Sequence, residues 1–292
     1  MQILLNRYKF SMNNMVGKGG FSGVYKGYDI KNDIDVAIKI DDKIKYNKIE
    51  SEIYDKIKGL KYMAKYLDYF ELEGKSYLIM PLYFKNSDSI VKINSDVFFN
   101  EKDVLMLGIQ ILQQLNNLHK SGVIHQDVKP DNFVFDKKEN KFKLIDFGLS
   151  KCYMIDDKHI VFNKNSSRCG TMRYMSLNCH NRYVLSRRDD LISLSYSLIY
   201  LYMKKIPWKN IKTLKNKNKN ELNSAIKKLK KEFNENINHI DLPAPLLFLY
   251  TYSAGLKFNK EPDYNFLIKG FYNYLKLNGM KYDGNWTWKK II

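Results

Sequence analysis

Acidic side chains are in short supply in this chain: 31 Asp and Glu stand against 49 Lys and Arg, for a net charge of +18. Such an excess leaves two readings open, a solvated lysine-rich surface or an acidic partner such as a phosphorylated substrate or nucleic acid. Proline is scarce as well, and no Pro-rich or Gly/Ser-rich stretch divides the chain into linked units. The cysteines Cys152, Cys169 and Cys179 are odd in number and lack metal-ligand spacing. That excludes a disulfide framework and points to free thiols in a reducing compartment. Long apolar runs are missing too. The longest, Leu191 to Met203, is broken by Ser193, Ser195 and Ser197 and is too short to cross a bilayer. The opening MQILLNRYKF has no apolar core followed by a small-residue cleavage site. The expectation is an intracellular protein, in cytoplasm or nucleus, with no membrane partner.

What is present is a globular composition, 45% hydrophobic over 292 residues, enough for a substantial core. Strand patterns dominate up to about residue 80. Val16, Val24 and Tyr25 flank glycines, Val36 to Ile40 is a compact apolar run, and Tyr77 to Met80 is another. Between them, Asn47 to Leu60 carries helical spacing at Ile49, Ile53 and Ile57. Beyond residue 84 the pattern turns helical. Glu101 to Lys120 places Val104, Gly108, Ile111, Leu115 and Leu118 on one face, and Leu191 to Met203 is apolar nearly all round, hence a buried helix. Lys204 to Lys231 holds 11 lysines and a single acid, Glu221, as in an exposed loop or helix face. The stretch Asn216 to Glu235 is polar and expected to be partly mobile. A strand-rich lobe followed by a helical one places a cleft near residues 80–84.

The strongest chemical signal is His125-Gln126-Asp127-Val128-Lys129-Pro130-Asp131-Asn132, followed by Asp146-Phe147-Gly148. Phosphoryl transfer needs a base at the acceptor hydroxyl, oxygen ligands for Mg²⁺ and cations to absorb charge on the moving phosphate. A carboxylate, an ammonium and a carboxamide at i, i+2 and i+5, with a second carboxylate beyond a hairpin-like stretch, supply that set. Upstream, Gly17-Lys18-Gly19-Gly20-Phe21-Ser22-Gly23-Val24 is a glycine-rich turn of the kind that lets backbone N–H groups approach phosphates. Lys39 closes the strand-like Val36-Ala37-Ile38, an expensive place for an unpaired ammonium. Glu50 and Glu52 are its candidate partners. Glu50 shares a helix face with Tyr54 and Ile57, which favours it. His119 and His125 lack a third ligand and are not read as a metal site. The tyrosines and lysines could stack on single-stranded nucleic acid, but their even spread fits core and surface better.

From Met15 to Trp288 the sequence resembles the protein kinases. The resemblance implies an α+β bilobal fold in one kinase domain spanning 1–292. The small N-lobe would cover about 1–80, the hinge 81–84 and the C-lobe 85–292. It makes Asp127 the catalytic base, Lys129 a γ-phosphate contact and a mark of Ser/Thr specificity, and Asn132 and Asp146 the Mg²⁺ ligands, with Mn²⁺ a possible substitute. ATP would lie among Val16, Gly17, Lys18, Gly19, Gly20, Phe21, Ser22, Gly23, Val24, Ala37, Lys39, Glu50, Met80 (the gatekeeper) and Leu82. Ser22 stands where the family has its third glycine.

Gly170-Thr171-Met172-Arg173-Tyr174 through Ser176-Leu177-Asn178, followed by Ser186-Arg187-Arg188-Asp189-Asp190-Leu191, is similar to the casein kinase 1 family, with the vaccinia-related kinases second. By that match Asp190 anchors the catalytic loop and Thr171 supports Asp127. Arg173 and Lys219, or Lys217 or Lys215 in its stead, would bind an anion on acidic or phosphorylated protein substrates. Gln126 replaces an arginine that elsewhere pairs with a phosphorylated loop, so constitutive activity is expected. A pseudokinase scaffold and a kinase acting at nucleic acid are the alternatives. Oligomeric state is not readable from the sequence.

Overall fold

The computed structural model describes residues 1–18, 22–92, 99–208 and 218–290. Six antiparallel strands build the first lobe: β1 (Gln2–Leu4), β2 (Tyr8–Lys18), β3 (Ser22–Asp29), β4 (Ile34–Asp41), β5 (Asp68–Leu72) and β6 (Lys75–Pro81), in the order β1-β2-β3-β4-β6-β5. Helix α1 (Ile44–Lys56) crosses between β4 and β5. Side chains alternate across a strand, so β4 and β6 each serve two faces. Val36, Ile38, Tyr77 and Ile79 join Leu4, Tyr8, Phe10 and Tyr25 in a core confined to this sheet. Ala37, Leu78 and Met80 turn the other way and merge with α1 and the second lobe.

The second lobe carries α2 (Ser87–Lys92), α3 (Glu101–Lys120), the short strands β7 (Val123–Ile124), β8 (Phe133–Asp136), β9 (Lys141–Leu144) and β10 (Lys151–Cys152), then α4 (Leu177–His180), α5 (Arg187–Met203), α6 (Lys219–Glu235), α7 (Ala244–Gly255) and α8 (Tyr264–Leu277). Helix α3 begins where Asn100 accepts a hydrogen bond from the Asp103 amide at 2.9 Å. At Gly108 an added Cβ would lie 2.6 Å from Phe271 and 3.1 Å from Leu198, so the glycine is what lets α3 approach α8 and α5. Helix α5 is buried over nearly its whole length, as its all-round apolar pattern predicts. The molecule is α+β, a curled β-sheet lobe on a helical lobe, the bilobal arrangement anticipated above.

Three readings change. Helix α1 ends at Lys56, not Leu60: Ile57 caps it, and Gly59 follows at φ +83°. The expected mobile stretch Asn216 to Glu235 is, from Lys219 onward, a helix. Asn218 caps it by accepting from the Asn220 and Glu221 amides at 3.0 Å. That helix is not uniformly solvated either, because Asn223, Ile226, Lys230 and Phe233 are buried. The capping signal Asn218-x-x-Glu221 was there to be read, but lysine density masked it.

Candidate active site

The pleat of β4 delivers Lys39 into the space between the lobes, opposite Val24 on β3 and Leu78 on β6. Its ammonium reaches Glu50 Oε2 at 2.6 Å and Asp146 Oδ1 at 2.7 Å. Burial disfavours the charged amine, yet the Asp146 and Glu50 carboxylates hold its pKa above the ordinary lysine value. Glu50 is fully buried, and its other oxygen accepts from the Phe147 amide at 3.2 Å. Glu52, the alternative, points to solvent. Burial pushes the Asp146 carboxyl up, but Lys39 outweighs it and brings the pKa down to about 2.

Asp127 is gripped from two sides. The Thr171 amide donates to Oδ1 at 2.7 Å, and the Lys129 ammonium reaches Oδ2 at 2.5 Å and Thr171 Oγ1 at 3.1 Å. Gly170 makes that approach possible: at φ +80° an added Cβ would lie 2.4 Å from the Gln126 carbonyl. Asp190, at the start of α5, accepts from the His125 and Gln126 amides at 2.7 and 2.9 Å. Those bonds fix Gln126 in a left-handed conformation at φ +68°. His125 receives the Asp127 amide on Nδ1 (3.2 Å) and faces the Ile145 carbonyl with Nε2 (3.1 Å). Its neutral form therefore carries the proton on Nε2, and burial lowers its pKa.

Asn132 donates through Nδ2 to the Asp127 carbonyl at 2.9 Å, and its own carbonyl receives the Ile145 amide at 3.0 Å. One short bridge thus ties Asn132, Asp127 and the residue before Asp146. Among the described residues no hydrogen bond is seen on the amide oxygen of Asn132 or on the second carboxylate oxygen of Asp146, whose partners named above are on Nδ2 and Oδ1. Two hard oxygen donors fit Mg²⁺, which commonly takes one or two protein ligands and completes its shell with phosphate and water. Among the described residues no cluster of three or more His, Cys, Asp and Glu could hold a metal alone.

Of the other expected nucleotide contacts, Ala37 pairs with Met80 across β4 and β6, and both are buried. Tyr54 contacts the Met80 sulfur through its hydroxyl at 3.7 Å. Val24 and Leu82 pack on the shared core, while Val16 is exposed. Gly17, Ser22 and Gly23 belong to the β2–β3 hairpin. Gly19, Gly20, Phe21, Lys215, Lys217 and the side chains of Lys18 and Lys219 lie outside the described residues.

A cleft of about 440 Å³ opens beside the 125–132 loop, lined by Lys129, Asp131, Arg173, Trp208, Leu222 and Ile226 among others. Among the described residues no carboxylate forms an ion pair with Arg173. Lys219 is the first residue of α6, three positions before Leu222 and seven before Ile226.

Sequence reasoning overlooked Asp189. Its Oδ1 accepts from Ser176 Oγ at 2.6 Å and Asn178 Nδ2 at 2.9 Å, and its Oδ2 from the Ser186 amide at 2.9 Å. The spacing Ser186-x-x-Asp189 was the available signal. His119, considered only as a metal ligand, instead contacts Asp190 Oδ2 through Nε2 at 2.8 Å and Tyr264 through Nδ1.

A bilobal fold with these groups converging between the lobes has the architecture of a kinase. Residues 10–266 match the family model of the protein kinase domain, and the chain belongs to that family. Protein kinase domains are phosphotransferases that generally use ATP and Mg²⁺ and act on protein substrates. No helix among the described residues is long and apolar enough to cross a membrane.

Proposed function

We propose that this chain is a protein serine/threonine kinase of the casein kinase 1 type, acting on acidic or phospho-primed substrates and needing no activating phosphate. The observation that carries the reading is Lys129, two residues after Asp127, with its ammonium between Asp127 and Thr171. Placed there, it can meet a phosphate arriving at a hydroxyl that Asp127 deprotonates. Lys39, braced by Glu50, would hold the α- and β-phosphates. Asn132 and Asp146 would hold Mg²⁺, which when bound neutralises phosphate charge. Residues 81–84 would serve as hinge between an N-lobe of about 1–80 and a C-lobe of 85–292, with adenine between Ala37 and Leu82.

Three further features support the finer assignment. Ser176 and Asn178 both hang from Asp189, so the Ser-Leu-Asn segment is anchored without the Ala-Pro-Glu of most kinases. Arg173, which forms no ion pair with a carboxylate among the described residues, lines the cleft beside Lys129 and Asp131, suited to a bidentate grip on a substrate anion, with Lys219 as a second charge. Gln126 offers no charge to hold a phosphorylated loop, while Gly170 and Thr171 already dock on the catalytic loop. The free thiols fit an intracellular location, and the net charge of +18 supports nucleic acid as a second class of partner, although the exposed Lys228 and Lys231 on α6 are each paired with a glutamate one turn on.

The test is transfer of labelled phosphate from ATP to casein and to peptides with phosphoserine or acids three to four residues before the target. Asp127→Asn serves as the control. Transfer to Ser and Thr with that preference supports the reading. Absence of transfer would make the chain a scaffold, and transfer with retention on DNA at moderate salt would favour the second partner.

A further inference from the structure

Helix α6 contains a residue with no role in the chemistry above. Lys230 is completely buried, on the same face as Ile226 and Phe233. A helix that needed only to pack would place a leucine there, because an amino group withdrawn from water is strongly disfavoured unless its hydrogens are satisfied. Here they are. The Lys230 Nζ donates to the Met172 carbonyl at 2.8 Å and the Met175 carbonyl at 2.5 Å, and lies 3.1 Å from His180 Nε2. His180 Nδ1 faces Asn223 Oδ1 at 2.7 Å, so the proton of the neutral imidazole sits on Nδ1 and Nε2 is an acceptor. Burial and then the neighbouring ammonium lower the His180 pKa to about 3, which keeps it an acceptor at neutral pH. The rings of Tyr196 and Trp208 lie 5.1 and 5.5 Å from the ammonium. Among the described residues no carboxylate forms an ion pair with it.

The two carbonyls that Lys230 holds flank Arg173. The third, that of Arg173 itself, accepts from Trp208 Nε1 at 2.7 Å. The amides of Tyr174 and Met175 turn back to the Thr171 carbonyl at 2.9 and 3.0 Å. The turn that carries Arg173 into the cleft is therefore fastened from below by one amino group and one indole. Burial pushes the Lys230 pKa well below the ordinary lysine value, yet charged or neutral the amino group has the two N–H donors that the Met172 and Met175 carbonyls take.

We propose that Lys230 is a positioning residue for substrate selection, holding the 172–175 turn so that Arg173 faces the cleft. This rests on the anion-binding reading of Arg173 given above. The test is a double-mutant cycle with Lys230→Met and Arg173→Ala, reading KM for an acidic peptide and for ATP, together with amide hydrogen exchange of residues 171–176. Lys230→Met should raise the acidic-peptide KM about fivefold with ATP KM changed less than about twofold, and should quicken exchange at Tyr174 and Met175. In the Arg173→Ala background the same substitution should add nothing to KM. A full additional loss there, or unchanged exchange in the turn, overturns the assignment. If Arg173→Ala leaves acidic-peptide KM untouched, the anion reading fails, and the exchange data alone decide whether Lys230 positions the turn. Should Lys230→Met not fold, Trp208→Phe keeps the ring and removes one carbonyl contact. It should raise the acidic-peptide KM in the same direction, and no change would count against the proposal.

Discussion

Asp127 receives two donors, Thr171 N on one oxygen and Lys129 Nζ on the other; an asparagine can keep its oxygen on the Thr171 amide and gives up the ion pair, whose ammonium also contacts Thr171 Oγ1. Asp127→Asn keeps the shape, so the melting temperature should stay close to that of the parent. Loss of a positioned base should lower kcat by roughly 10² to 10⁴. Near-parental transfer to casein would reject the base assignment. The Lys39 pair gives a second prediction at this scale. Lys39→Met removes the cation shared by Glu50 and Asp146 and should abolish transfer. Glu50→Gln should weaken transfer and Glu52→Gln should leave it intact, since only Glu50 is buried against the lysine. Steady-state rates for the three variants decide the order, and a larger loss for Glu52 would contradict the geometry.

At the scale of elements, the first hairpin of the sheet hangs on Asp29. It accepts from Arg7 at 2.9 and 2.8 Å and from Asn32 Nδ2 at 2.8 Å, and its side chain is fully buried. The Arg7 guanidinium holds its pKa at about 2. A depressed carboxyl contributes stability above its unfolded pKa of about 4 and loses that contribution as pH falls through the folded value near 2. Asp29→Asn should cost about 2 kcal/mol at neutral pH and flatten the acid limb of urea denaturation measured from pH 5 to 2. An unchanged acid limb would mean the pair is idle. Helix α3 was legible because a long periodic pattern leaves little choice of face, and α5 because a run apolar all round must be buried. The pairing of Lys39 with Glu50 was legible because helical spacing separates Glu50 from Glu52. Helix α6 was not, since its buried face is carried by Asn223 and Lys230 rather than by apolar residues alone. Nor was Asp189: two adjacent carboxylates read as one motif, yet Asp190 holds the catalytic loop and Asp189 the segment after Thr171.

Across the whole molecule, the charge of +18 sets a field that any acidic substrate must feel. The preference for acidic over neutral peptides should shrink as salt rises past about 0.1 M, where the Debye length falls to about 10 Å. A preference indifferent to salt would point to shape rather than charge. Phosphatase treatment, followed by removal of the phosphatase, should leave activity nearly unchanged, because Gln126 carries no charge to hold a phosphate and the segment after Gly170 is docked through Thr171, Asp189 and Lys230. A loss of about tenfold or more would assign the missing clamp to another cation such as Arg168. The chain's 3 tryptophans are also divided between distant places. Trp286 and Trp288 pack edge-on against Phe135 and Phe142, while Trp208 stands at the wall of the cleft with its N–H on the Arg173 carbonyl. Replacing Trp286 and Trp288 by phenylalanine would leave a single tryptophan beside the cleft, excited selectively at the red edge of its band where the 22 tyrosines do not absorb. The protein would then carry its own optical gauge of peptide docking, readable in ultraviolet fluorescence without any label or turnover, and silent if the peptide never reaches that wall.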